Sequence, residues 1–406
     1  MKKDLAIAGG GLVGLSLGLA CAEAGLEVVV VDREDPMRMR AEPYDGRTSA
    51  IAAGSKRVLE GIGLWPLVAD HAEPILEIRV ADNSAPLFLH YDHRDLGSLP
   101  LGYIVENRIL REALFERARA LRHLTLLAPM EVAGMEGGAH GATLRLSDGR
   151  EIRAPLVAAA DGRHSPLRRA AGIEVMEWSY SQHAITCTVH HEKPHHGIAV
   201  EHFLAPGPFA ILPMTSDPVV GHRSSIVWTE RASLVPALMA LEPGPFTHEL
   251  QRRFGDYLGA IAVVGGRWSY PLALMHAHRY AAPRLVLLGE AAHVIHPLAG
   301  QGLNLGIRDV AILAELLADA CRLGLDPGTP DILARYERRR RFDNVTLAAV
   351  TDGLNRLFSN DSAPLTMLRD LGLAAVNRLP PVKRLLMEHA MGALGTLPRL
   401  AQGKKL

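Results

Sequence analysis

The stretch DLAIAGGGLVGLSLGLACAEAGLEVVVVDRE, Asp4–Glu34, decides the fold. Leu5–Ala8 is an apolar run of strand length, and Gly9, Gly11 and Gly14 follow it at G-x-G-x-x-G spacing. Leu12–Ala24 has the composition of a helix, with Gly25 standing where a helix ends. Glu27–Val31 is a second strand, β-branched, that closes on Asp32. Each part has a physical task. Gly9 permits the turn, Gly11 lets backbone approach a pyrophosphate, and Gly14 lets the helix pack close to the sheet. The helix N-terminus offers free N–H groups and the positive end of its dipole to phosphate. Asp32, eighteen residues after Gly14, is placed to accept hydrogen bonds from a ribose diol, and Arg33 beside it joins the same expected contact set. The spacing predicts dinucleotide binding, without separating NAD from FAD.

Two later stretches have related grammar. In LVAAADGRHSPLRRAAGI, Leu156–Ile173, a strand at Leu156–Ala160 meets an Asp161-Gly162 turn; Ser165 suits a helix cap and Pro166 a first helical turn. In RLVLLGEAAHVIHPLAGQGLNLGIRDVAILAELLADA, Arg284–Ala320, a strand at Leu285–Leu288 precedes a loop from Gly289 to Gln301, and Leu303–Ala320 has helical spacing. A metal site here would need Glu290, His293 and His296 to converge. Pro297, just before Ala299-Gly300, marks loop rather than helix, and no further ligand stands at a known spacing, so no metal is expected. Gly300, Gly302 and Gly306 bracket a helix start, which suggests backbone approaching a flat ligand.

Bulk properties set the limits. At roughly 100–200 residues per domain, 406 residues suggest two or three domains. Net charge is zero, so no global field points to nucleic acid. Cys21, Cys187 and Cys321 are far apart, which argues against a disulfide scaffold or zinc knuckle and suits a reducing cytoplasm. The N-terminal apolar run is broken by five glycines within Gly9–Gly18 and carries Glu23, so it does not read as a signal peptide. No other stretch approaches the ~18–20 apolar residues of a spanning helix. A cytoplasmic chain is expected.

Together the three motifs resemble those of the class A flavoprotein monooxygenases. The matching pieces are Gly9-x-Gly11-x-x-Gly14 with Asp32, ADGRHSPLR at Ala160–Arg168, and GEAAHVIHPLAGQGLN at Gly289–Asn304. A closer resemblance, to the ubiquinone-biosynthesis hydroxylases, is carried by DGRTSAI (Asp45–Ile51), ENRILREAL (Glu106–Leu114), EHFLAPGPFAILPM (Glu201–Met214), HPLAGQGLNLGIRDV (His296–Val310) and TDGLNRLFSND (Thr351–Asp361). The resemblance implies bound FAD, with Asp161 in a motif that serves both FAD and NAD(P)H. It implies that Gly289 and Glu290 meet the ribitol, and that Pro297, Gly300, Gln301, Gly302, Leu303 and Asn304 form a flavin-facing loop. Glu290 stands where the family usually has Asp, one methylene longer. The helix start near Gln301–Leu303 would turn its positive end toward the N1–C2=O side of the ring. By position, Arg47 and Arg108 are implied flavin-side contacts.

The implied chemistry is hydroxylation of a polyprenylated phenol by a C4a-hydroperoxyflavin, with NAD(P)H and O2 as co-substrates. It demands no dedicated catalytic residue; His296 and His293 are candidates for a phenol-activating base, and neither is assigned. An isoprenoid reductase, another phenol hydroxylase or a non-catalytic flavin-binding subunit would share the first and third motifs. A halogenase would carry W-x-W-x-I, and none of Trp65, Trp178, Trp228 or Trp268 sits in one.

The expected fold class is α/β: a Rossmann-like FAD-binding domain, an inserted antiparallel-sheet substrate domain and a C-terminal helical region. The expected division gives 1–74, 101–174 and 272–345 to FAD binding, 75–100 and 175–271 to the substrate domain, and 346–406 to the helical region. ILEIRVAD at Ile75–Asp82 alternates as a strand leaving the nucleotide domain; Glu106–Leu121 reads as a helix, and Thr143–Asp161 contains a returning hairpin. HAITCTVH and GIAVEHFLA alternate with period two around HEKPHH. His190, His191, His195, His196 and His202 read mostly as solvated hairpin-tip residues, and Pro208–Met214 as a wall of the substrate cavity. The charge run RYERRRRFDN, Arg335–Asn344, reads as a solvated helix face. From Arg369 to Leu406 there are seven Lys or Arg against two Asp or Glu, a net of +5. That tail suits either core-capping helices or docking on an anionic inner-membrane surface or on other ubiquinone-biosynthesis proteins. A homo-oligomer is compatible with the chain.

Overall fold

A computed structural model describes residues 1–40, 45–82 and 88–358, then 384, 387, 391–392 and 395–406. Most of the region expected at 346–406, and of the basic tail within it, lies outside the described residues; residues 346–358 continue the helix Pro330–Phe358. Among the described residues no helix is long and apolar enough to cross a membrane.

The first motif folds as strand Leu5–Ala8, helix Leu12–Glu23 and strand Val28–Val31. Both strands are buried along their whole length, as central strands of a parallel sheet covered on both faces must be. The sheet has six strands in the order Ala281–Ala282, Leu285–Leu287, Val157–Ala159, Leu5–Ala8, Val28–Val31, Leu124–Leu127. All neighbours are parallel except the edge pair at Ala281–Ala282. The first helix is buried from Gly14 to Ala22 because it lies between this sheet and the helix Gln301–Arg322. Small residues make both contacts close. A Cβ on Gly18 would lie 2.9 Å from Val30 on the sheet, and one on Gly306 would lie 2.5 Å from Val13 on the first helix. On the other side, the antiparallel strands Val132–Gly138, Gly141–Leu146 and Glu151–Ala154 bury Leu144, Leu146 and Ile152 in the same core.

A second, eight-stranded sheet contains Val175–His191, Ile198–Leu204, Gly207–Asp217, Gly221–Arg231 and Ile261–Ala277. Its neighbours are antiparallel except for one pair: Glu77–Asp82 runs parallel to Ile198–Leu204, and Phe88–Asp92 follows as the edge. One face carries Phe209, Ile211 and Trp228, covered by the helix Pro243–Phe254 through Phe246, Leu250 and Phe254 at four-residue spacing. The period-two reading of Val175–Tyr270 passed over that helix. The opposite face meets a small sheet of Thr48–Ala52, Glu73–Ile75 and Gly102–Glu106, where Thr48 Oγ1 donates to Ser225 Oγ at 2.9 Å.

Two expectations are corrected. His191 and His195 are not solvated: His191 bonds the Lys193 carbonyl (2.7 Å) and Ser224 Oγ (3.0 Å), and His195 bonds the Met214 carbonyl (2.9 Å). These two buried rings tie the hairpin, at Lys193, to the strands Gly207–Asp217 and Gly221–Arg231. The charge run is not wholly a solvated face either. Tyr336, Arg340 and Asn344 recur every four residues and form a buried stripe. Arg340, with its side chain 2% exposed, binds Asp309 at 2.6 Å, Asp343 at 2.6 Å and Asn344 at 2.6 Å. Asn344 donates to Tyr280 Oη, which bonds His276. Removing one member of a buried ion pair strands the other charge. Arg340→Ala is therefore expected to lower unfolding stability by about 3–5 kcal/mol, measured by denaturant titration.

Candidate functional site

The three glycine-bearing motifs meet around one cavity of about 590 Å³, within the range of small-molecule sites. The first motif gives one wall. Gly9 has φ +101°, and a Cβ there would lie 2.2 Å from the Ala160 carbonyl oxygen; one on Gly14 would lie 1.9 Å from the Gly9 carbonyl oxygen. Gly14 is thus packed behind the turn and does not line the cavity. Gly11, which does, would place a Cβ in open space, and the helix it starts has no side-chain cap. Its first N–H groups are left for another acceptor. Asp32 lines the cavity and accepts from the N–H groups of Gly10 and Glu34, the latter at 2.7 Å. Burial raises its carboxyl above the ordinary value despite those bonds. Arg33 is beside it on the lining, and Met130 is held close by its N–H to the Asp32 carbonyl, 2.7 Å.

The second motif gives the next wall. Ser165 Oγ accepts from Arg168 N–H at 3.0 Å, capping the helix Pro166–Ala170. Asp161 lines the cavity with its carboxyl raised by burial, and its Oδ1 has no hydrogen-bond partner among the described residues. Arg168 reaches the Ala291 carbonyl at 2.9 Å, tying the second motif to the third.

In the third motif Gly289, Glu290, Pro297, Gly300, Gly302 and Leu303 all line the cavity. Gly300 adopts φ +61° where a Cβ would press on Ala50, and it starts a 22-residue helix with no side-chain cap. Gly302 faces open space. Gln301 and Asn304 are buried and not on the lining; Asn304 accepts from Ala52 N–H (2.9 Å) and donates to the Ala50 carbonyl (2.8 Å), stapling the loop to the strand Thr48–Ala52. His293 lines the cavity with its Nε2 bonded to Asp309 at 2.7 Å. His296 is buried, not on the lining, and packs edge-on to Tyr180 with ring centroids 5.1 Å apart.

Arg47 lines the cavity, and Arg108 does not: its guanidinium lies 3.7 Å from Glu106. In the helix Asn107–Ala120 the cavity face carries Asn107 and, one turn on, Arg111. Helical phase from the buried Leu110 and Leu114 was the signal that distinguishes Arg111 from Arg108. Asp45 organises the pair. It accepts three bonds from the Arg47 side chain at 3.0, 3.1 and 2.9 Å and one from Arg111. Burial would raise the Asp45 carboxyl, but the two guanidiniums outweigh it and hold it at about 2. Arg47 stays charged against burial because Asp45, with Tyr270 and Glu290 nearby, favours the cation. Its guanidinium lies 4.9 Å from the centre of the Tyr270 ring.

Burial also holds His276 and His296 at about 4, so both are neutral in the native state near pH 7. The unfolded chain takes up protons on these groups from pH ~6.5 downward while the native state does not. The contribution of these two histidines to stability is therefore complete above about pH 6.5 and falls as pH drops toward 4. His296→Asn, which keeps an acceptor for Leu298 N–H, is expected to flatten that limb in thermal-unfolding scans across this window.

Comparison with known proteins agrees with this geometry. A family model described as FAD binding domain matches residues 2–349. The ubiquinone hydroxylase UbiL of Rhodospirillum rubrum is 53% identical, covering 99% of this chain and 93% of that one. The 3-demethoxyubiquinol 3-hydroxylase of Escherichia coli is 34% identical, covering 96% of this chain and 98% of that one. Among solved structures, p-nitrophenol 4-monooxygenase PnpA of Pseudomonas putida superposes with a TM-score of 0.79 at 19% identity, over 97% of this chain and all of that one, a likeness of fold. The chain belongs to the FAD-dependent aromatic monooxygenases, in the family of the ubiquinone-biosynthesis hydroxylases.

Proposed function

We propose that this protein hydroxylates the aromatic ring of a polyprenylated phenol in ubiquinone biosynthesis, with bound FAD and with NAD(P)H and O2 as co-substrates. The observation that carries the reading is the single cavity shared by three motifs, with open faces at Gly11 and Gly302 and an unanswered acceptor at Asp161 Oδ1. Those features fit an elongated ligand with phosphates, hydroxyls and a flat ring. FAD supplies the redox and oxygen-transfer chemistry when bound.

The chain's own residues then bind and orient. Gly9 and Gly11 give the pyrophosphate its approach, with the N-terminus of the first helix behind them. Asp32 and Arg33 hold the adenosine ribose end. Asp161 takes a ligand hydroxyl on its free oxygen. Glu290 reaches the ribitol, with Gly289 shaping the turn. Arg47 and Arg111 hold positive charge beside it, fixed by Asp45. The loop Pro297–Leu303 lies against the ring, and the uncapped helix start at Gln301 favours negative charge there. Asn304 holds that loop in place. The eight-stranded sheet roofs the ring and keeps water from it. In this reading 1–74, 101–174 and 272–345 serve the nucleotide, and 75–100 and 175–271 the substrate. The basic stretch from Arg369 docks the protein on the inner-membrane surface, or on other proteins of the pathway, where a polyprenyl substrate resides.

The purified protein is expected to show a flavin spectrum and to consume NAD(P)H and O2 faster with a prenylated phenol. Bound flavin without phenol-stimulated O2 use would favour a reductase or a non-catalytic flavin subunit instead. The glycines add a sharper test. Gly11→Ala is expected to keep the protein's thermal stability and lose retained flavin at least tenfold. Gly14→Ala, which drives a methyl into the Gly9 carbonyl, is expected to lose both. Flavin absorbance and melting curves of the two variants separate the cases.

A further inference from the structure

Glu201 lies in the strand Ile198–Leu204, with Ala210 and Val80 as its register partners on either side. Side chains alternate between the faces of a strand. Val200 joins Phe209, Ile211 and Trp228 in the core beneath the helix Pro243–Phe254. Ala199, Glu201 and Phe203 therefore stand on the other face. Ala199 belongs to an apolar cluster that includes Ile104 and Ala50, and Ala50 lines the nucleotide cavity. Phe203 packs with Leu298, Val80 and Leu354, and Leu298 directly follows Pro297, another lining residue. Glu201 thus sits between two apolar clusters that border the ring-facing loop from both sides.

Its surroundings are unusual for a carboxylate. Among the described residues no hydrogen bond or ion pair answers it; its same-face neighbours Ala199 and Phe203 and its register partners Ala210 and Val80 carry no charge, and His202 beside it points to the opposite face. Protein surrounds it on all sides, yet its surface is not closed, as expected for a group in the wall of an internal chamber. Burial alone pushes its carboxyl up to about 7. An unpaired buried carboxyl costs stability, and such groups concentrate where chemistry is done. Neither Glu201 nor His296 is among the residues lining the nucleotide cavity, but His296 has no exposed surface while Glu201 keeps some, and His293 is engaged by Asp309.

We propose that Glu201 is the base for the substrate's phenol: its carboxylate accepts the hydrogen bond of the ring hydroxyl and takes that proton as the ring carbon is oxygenated. The inference rests on the hydroxylase reading above. The phenol O–H bond breaks and an O–H bond forms on Glu201. The electron pair left on oxygen delocalises into the ring and enriches the ortho and para carbons. One of these bonds the oxygen atom derived from O2, and NAD(P)H supplies the two electrons that take the other oxygen atom to water. The oxygenated carbon then loses its hydrogen as a proton, the ring regains aromaticity, and the phenolic oxygen is reprotonated from Glu201. A base whose proton affinity matches the operating pH suits the step.

The test is a pH profile of the FAD-loaded full chain with a short-chain prenylated phenol, comparing wild type, Glu201→Gln and Glu201→Asp. Wild-type kcat/KM is expected to rise about tenfold per pH unit below about 7 and then level. Glu201→Gln is expected to lose roughly 10²–10⁴-fold in kcat and the rise with it, with flavin content intact and KM little changed, while Glu201→Asp recovers part of the rate. Glu201→Gln keeping kcat within threefold of wild type, with the same pH rise, overturns the proposal. A second measurement needs no variant. An unreactive phenol analogue that hydrogen-bonds the carboxylate should favour its charged form, so binding near pH 7 should release protons, read by calorimetry in buffers of different ionisation heat. Wild type that binds the analogue and releases none also overturns it. Absence of any phenol-stimulated O2 consumption by wild type would remove the hydroxylase reading itself; an active wild type with an indifferent Glu201→Gln removes this inference alone.

Discussion

One fully buried carboxylate, Asp309, holds the end of the cavity formed by the third motif in position. It accepts from the Gly289 N–H at 2.9 Å, from His293 at 2.7 Å and from Arg340 at 2.6 Å. Burial works against its charge, but His293 and Arg340 outweigh that cost and keep the carboxyl at about 2. Three separate elements therefore converge on the two oxygen atoms carried by the helix Gln301–Arg322: the turn at Gly289, the short strand His293–Val294 and the long helix from Pro330. The loop between Gly289 and Gly300 is pinned from behind, which leaves its glycine backbone facing the cavity. Flexible backbone is made rigid by charge as well as by the apolar packing of Ala291, Ala292, Ile295 and Leu298. The geometry satisfies the condition under which a buried ion pair is tolerated, since each oxygen has well-placed donors.

A similar arrangement recurs across the cavity. Asp45 fixes Arg47 and Arg111 as Asp309 fixes the loop, and Arg168 links the second motif to the backbone of the third. Arg47, Arg111 and His293, which face the cavity, are thus held by carboxylates that do not. Such support fixes side chains within the narrow tolerance that orientation-dependent chemistry demands.

The parts legible in the sequence were those with a strict period or a fixed spacing. The Gly9, Gly11 and Gly14 set fixed strand, turn and helix within a residue of their observed ends, because only glycine fits the gaps beside Ala160 and the Gly9 carbonyl. The cap at Ser165 was legible for the same kind of reason. What escaped were interactions between distant segments. Nothing local marks Arg340 among four consecutive arginines as the one that meets Asp309; only its helical phase with Tyr336 and Asn344 does. Arg108 and Arg111 differ by three residues in a helix whose rotation about its axis is set by Leu110 and Leu114. His191 and His195 look like solvated turn residues until two other strands of the sheet supply Ser224 and the Met214 carbonyl.

The strand order carries a further consequence for how the chain is made. The parallel sheet takes its strands from residues 5–8, 28–31, 124–127, 157–159 and 285–287, and five strands of the eight-stranded sheet thread between the last two. A ribosome that has released two hundred residues has released four of those five strands, yet the cavity still lacks a wall. The nucleotide-binding half cannot be finished before the sheet that covers it has been synthesised. Cofactor capture is consequently a late event in the life of each molecule, and it reports that the whole chain has closed.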